Sequence, residues 1–244
     1  VTFAPPLTQA VDRLYAAFEG SPPASVPHCD HCVSDEEVAR LLTAGPVRLL
    51  PAEVLRPYAA NLVVGTAGSP DDARYFLPRV CEVSLDSGAW PDLVLVARYV
   101  GRTDLGLDDR QRAAVAEFFR AVWWDVVTTD PLGAGLSVDE ALCAAAHGTG
   151  DLTPVLAEWT RLLDRPHPRA HLLYLVSDAD RDGDGWRLRG SWWDDHDRRV
   201  DLWLRSAELR TAVDRATAGA DDVDAVVLRA HLGYGDGTGA DPSP

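Results

Sequence analysis

Apolar residues recur along this chain mostly at the three- and four-residue spacing that lines one face of a helix. Leu7, Val11, Leu14, Tyr15 and Phe18 predict a first helix over about Thr8–Glu19, stopped by Gly20. After a Pro-rich connector, Ser21–Pro27, Ser34 opens a second helix in which Glu37 can reach back to complete a capping box, and Asp35 and Glu36 favour the positive end of the dipole. Pro51 suits the first position of a third helix reaching about Val64, within which Pro57 predicts a kink or two short helices. Ser69-Pro70-Asp71-Asp72 is the next start signal, and Pro78 again interrupts a helical pattern.

The run Leu93–Val100 has the composition of a short strand, but no partner strand is evident elsewhere and it is read as helix. The widest apolar stripe, Val115, Phe118, Phe119, Val122, Trp123 and Val126, belongs to a helix over about Asp108–Thr128. Ser137 with Glu140 repeats the capping box, Thr153-Pro154 starts a helix carrying Trp159, and Pro168 starts another through about Ser177. Short helices follow over Val200–Ser206, Ala207–Ala218 and Asp221–Leu232. From Gly233 the chain is rich in Gly, Asp and Pro, a composition that predicts disorder over 233–244. The pattern is all-α: an irregular helical array like a HEAT α-solenoid, or alternatively a globular multi-helix bundle, in one domain over 1–232.

Composition changes this picture in two respects. All 23 basic residues are Arg, since Lys, Ile and Met are absent, a bias of the kind GC-rich bacterial genomes produce. Against 38 acidic residues the net charge is −15, which repels nucleic acid and anionic lipid and either favours a basic protein partner or serves solubility alone. No stretch reaches the roughly 18–20 apolar residues of a membrane span. Val1–Ala10 shows no basic segment followed by an apolar run, so the expected compartment is cytoplasmic.

Chemistry concentrates at His28-Cys29-Asp30-His31-Cys32. The two-residue gap lets both thiolates face one ion, which suits tetrahedral zinc; His28 or His31 can supply a third ligand, with Cys143 and His147, four apart on one helix face, as further candidates. A reduced structural turn without metal is a second reading and a redox dithiol a third, the last because Cys32 lies just before a helix N-terminus, where the dipole lowers a thiol pKa. Redox motifs of the thioredoxin type follow a β-strand, however, and none is predicted before Cys29. Cys81 and Cys143 sit alone in apolar segments and read as buried small hydrophobes.

Asp178-Ala179-Asp180-Arg181-Asp182-Gly183 matches the opening of a calcium loop, but the twelfth position, which needs a bidentate Glu, is Arg189. Trp192-Trp193-Asp194-Asp195-His196-Asp197 sets aromatics beside carboxylates and reads chiefly as packing and helix capping. No phosphate loop, dinucleotide fingerprint, H-E-x-x-H or G-x-S-x-G motif is present.

The succession of Cys29-x-x-Cys32, Pro46-Val47-Arg48-Leu49, Leu55-Arg56-Pro57-Tyr58, Asp72-Ala73-Arg74-Tyr75-Phe76-Leu77-Pro78-Arg79, Glu82, Leu156-Ala157-Glu158-Trp159 and Trp192-Trp193-Asp194 resembles a family of uncharacterised bacterial all-helical proteins. That resemblance implies a fold and no known chemistry. Some members resemble proteins encoded near secreted toxins, which implies an immunity-like role. The expected function is therefore a non-enzymatic interaction scaffold for a basic partner. The alternative is a metal-dependent or small-molecule enzyme using the Cys29/Cys32 region or the Trp192–Asp197 segment.

Overall fold

The structure is a computed structural model that describes residues 6–86, 88–182, 185–190, 193–218 and 223–233. It is all-α, as the periodicity predicts: twelve α-helices among the described residues, with one two-stranded hairpin. None of these helices is long and apolar enough to cross a membrane. The chain divides into two compact units: residues 1–126 with 134–151, and residues 127–133 with 152–244. The tail expected from Gly233 falls, beyond that residue, outside the described residues.

The first unit contains α1 (Leu7–Ala17), α2 (Asp35–Thr43), α3 (Ala52–Val63), α4 (Pro70–Val83), α5 (Leu93–Arg102), α6 (Asp109–Thr128, through Val126) and α7 (Val138–Thr149). Three of these helices begin the same way. Ser34, Ser69 and Ser137 each accept the amide three residues on, and Glu37, Asp72 and Glu140 return a carboxylate to the serine amide. Each box satisfies backbone donors that a helix start leaves without intrahelical partners. The run 93–100 is indeed helical, with Asp92 capping α5 through the Leu95 amide at 2.8 Å.

Two expectations about proline are corrected. Pro51 is the N-cap of α3 and not its first helical residue, and α3 is one helix through Pro57, not two short ones. The carbonyl that loses its amide partner there belongs to Glu53, four residues back and itself an exposed residue. α4 likewise continues through the buried Pro78.

The core of this unit joins Leu14, Leu55, Tyr58, Phe76, Leu77, Val96, Phe118, Phe119 and Ala144. Among the described residues α5 and α7 pack together most extensively, and small residues allow it. A Cβ on Gly101 would lie 2.7 Å from the His147 carbonyl oxygen, and one on Gly148 would lie 2.0 Å from Cδ2 of Phe119. Glycine at these positions lets α5 approach the α7 backbone and lets Phe119 of α6 lie flat against α7. Gly150, at φ 70°, then closes α7 in the left-handed conformation and donates to Ala146.

The second unit contains α8 (Thr153–Leu162), α9 (Pro166–Asp178), β1 (Asp180–Asp182), β2 (Gly185–Arg187), α10 (Asp197–Leu204), α11 (Ala207–Ala216) and α12 (Val223–His231). α9 starts at Pro166, two residues earlier than the Pro168 start read from the sequence. Its centre is Trp159, fully buried, whose indole donates to the Pro168 carbonyl at 2.9 Å and packs 5.2 Å from the Trp203 ring. Trp203 in turn donates to the Thr160 hydroxyl at 2.9 Å.

The antiparallel pair β1–β2 was not expected. Asp180 pairs with Arg187, Arg181 with Trp186 and Asp182 with Gly185, so the acidic run that resembles a calcium loop is drawn into a hairpin. Arg189 does more than occupy the position of the missing glutamate: it binds Asp180 Oδ1 at 2.7 Å and holds that carboxyl below its ordinary range. Gly183 and Asp184 lie outside the described residues.

Candidate functional site

The thiol turn is built by the backbone on both sides of it. His28 forms an antiparallel bridge with Ala67, the Cys29 amide donates to Thr66 at 3.0 Å, and the Gly68 amide donates to Pro27 at 2.7 Å. A minimal β-bridge therefore does precede Cys29, where the sequence predicts none. The chain then turns tightly, because the Cys29 carbonyl accepts from Cys32 at 2.8 Å and from Val33 at 3.0 Å. Ser34 follows at once as the cap of α2. Val33 is buried and fixes the turn from below, while Cys29, His31 and Cys32 face solvent.

This geometry brings the two thiols together and makes them unequal. They sit on either side of one backbone hydrogen bond, from the Cys32 amide to the Cys29 carbonyl. The His31 amide first, and then the Cys32 thiol and amide, lower the Cys29 pKa against the opposing effects of desolvation and the charge of Asp30. Cys32 is pushed up, first by its hydrogen bond to Cys29 and then by partial burial. The Thr66 side chain opposes that rise. Cys81 and Cys143 are buried in α4 and α7, as expected, and burial alone raises the Cys81 pKa strongly.

His28 turns the other way. Its Nδ1 lies 2.9 Å from the Val26 carbonyl, a partner that fixes this nitrogen as the donor. Nε2 is thereby aimed at Asp35, 3.2 Å away, and at Asp30, 3.7 Å away. Two carboxylates facing a lone pair favour a proton on it, so the Val26 carbonyl first, then Asp35 and Asp30, raise the His28 pKa. Among the described residues, His28, Asp30 and Asp35 are the group of three whose ligand atoms lie within 4.8 Å of one another. The four residues singled out from the sequence thus split in function: Cys29 and Cys32 face each other, His28 faces two carboxylates, and His31 contributes its backbone amide. Asp35 escaped notice as a site residue because its place at a helix start already accounted for it.

Outside this turn, buried polar groups serve packing. Asp72 is fully buried, accepting from the Tyr58 hydroxyl at 2.8 Å and from the Ser69 amide at 2.8 Å. Glu82 accepts from Tyr15 and from Arg79, each at 2.6 Å, and Arg79 also donates to the Leu50 carbonyl at 2.9 Å. Trp193 is buried while Asp194 and Asp195 are exposed, in keeping with an anchoring role for that segment; Trp192 lies outside the described residues.

In the second unit a groove of about 330 Å³ runs between the 130–132 segment and α9. Leu132 and Tyr174 stand exposed on it, with Asp130 and Asp224 also lining it. No family model, curated protein or solved structure matches the chain.

Proposed function

We propose that this protein is a non-enzymatic interaction scaffold that binds a basic protein partner, with immunity-like antagonism of a toxin as the role to which the sequence resemblance points. The observation that carries the reading is the groove beside α9. It offers an apolar anchor at Leu132, 88 % exposed, and an aromatic one at Tyr174, flanked by Asp130 and Asp224, on a chain of net charge −15. Exposed apolar anchors next to carboxylates suit an amphipathic, positively charged segment: the apolar contacts give affinity, and the acids give steering and selectivity.

The test is capture of partners from native lysate over a salt series, with identification of what binds. The reading expects a basic protein whose recovery falls as salt rises, and whose binding is lost in Leu132→Glu and in the double reversal Asp130→Arg/Asp224→Arg. Recovery that is indifferent to salt and to all three substitutions would defeat it.

A further inference from the structure

We propose that Cys29 and Cys32 form a reversible dithiol–disulfide couple that exchanges with low-molecular-weight disulfides of the glutathione class. Three features of the turn carry this. Both thiols are exposed. The Cys32 amide bonds the Cys29 carbonyl at 2.8 Å, a turn that keeps the two Cα atoms under about 7 Å apart, within the range a disulfide spans. The turn is also held at both ends, by the His28–Ala67 bridge and by the Ser34 capping box, so the bond can close without unfolding its surroundings.

The thiolate of one cysteine attacks one sulfur of the small disulfide, forming a mixed disulfide and expelling one thiolate, which takes up the proton that cysteine had released. The other cysteine then loses its proton and attacks the protein sulfur of the mixed disulfide. The Cys29–Cys32 bond forms, the mixed disulfide breaks, and the second small thiol leaves with that proton. Two protein thiols are oxidised and one small disulfide is reduced to two thiols.

This inference is independent of the partner groove. Its test uses the reduced full-length chain incubated with oxidised glutathione, acid-quenched at intervals and read by intact mass and peptide mapping. The wild type is expected to accumulate the internal Cys29–Cys32 disulfide with only transient adduct. Cys32→Ser is expected to accumulate glutathione on Cys29, and Cys29→Ser to accumulate it on Cys32. Buried Cys81 and Cys143 serve as unreactive internal references. Two stable glutathione adducts without an internal bond would overturn the couple, and so would thiols protected by a stoichiometric metal until a chelator is added.

Discussion

Gly148→Ala sets two effects of opposite sign against each other. Gly148 lies inside α7, where alanine is the better helix former by about 1 kcal/mol. Its backbone is not in the left-handed region, so on local grounds the change should stabilise. The packing says otherwise. The new Cβ would lie 2.0, 2.4 and 2.7 Å from Cδ2, Cγ and Cε2 of Phe119, against roughly 3.5–4 Å for carbon atoms in contact. Phe119 is fully buried and cannot swing into solvent. Either the ring or α7 must move by more than an ångström, which places the penalty at the upper end of the usual overpacking range, about 3 kcal/mol. Subtracting the propensity gain leaves a net loss of about 2 kcal/mol, or roughly 4–8 °C in thermal midpoint for a protein of this size. Thermal and urea unfolding followed by far-UV circular dichroism measure it. Phe119→Leu should relieve the clash, so the double variant should lose less than the two single changes summed. A Gly148→Ala protein as stable as its parent, or additivity with Phe119→Leu, would refute the close-packing argument.

Two other outcomes are expected. Asp72→Ala removes the return half of the α4 capping box and leaves the buried Tyr58 hydroxyl without its carboxylate acceptor, a loss of about 2–3 kcal/mol, readable in the same unfolding assays; an unchanged midpoint would contradict the buried bond. His28, with its pKa raised in the folded state, contributes stability that is fully present below the ordinary histidine value of about 6.5 and is lost as pH rises through the higher folded value. Its NMR titration should show a midpoint above that ordinary value, lowered again in Asp35→Asn, and a midpoint at or below it would show that the carboxylates do not face the ring.

Helix existence was legible because it rests on local rules: serine caps three residues before a carboxylate, and apolar residues spaced for one face. What escaped depends on distant neighbours. Pro57 looks like a break to any local reading, yet the residue whose carbonyl it deprives of a donor, Glu53, is exposed. The hairpin at 180–187 was hidden because its charges suggested a loop, and only cross-strand pairing with Arg187 and the reach of Arg189 reveal that they are matched. At the thiol turn, spacing identified Cys29 and Cys32. The bridge to Ala67 that orients them comes from a residue 38 positions beyond Cys29, beyond any motif.

That bridge has a further consequence for local opening. The segment between α1 and α2 has no helix of its own; Phe18, Val26 and Val33 bury side chains, and the strand-like contacts to 66–68 hold its backbone. Those contacts end at Gly68, whose φ of +89° and close approach to Leu62, Tyr58 and Asp72 make it the fixed post of the loop. The connector is therefore as durable as a post made of the α3–α4 junction. Loosening that junction would release the connector to proteases and speed amide exchange at Cys29 and Gly68 together, while the helices on either side stay folded.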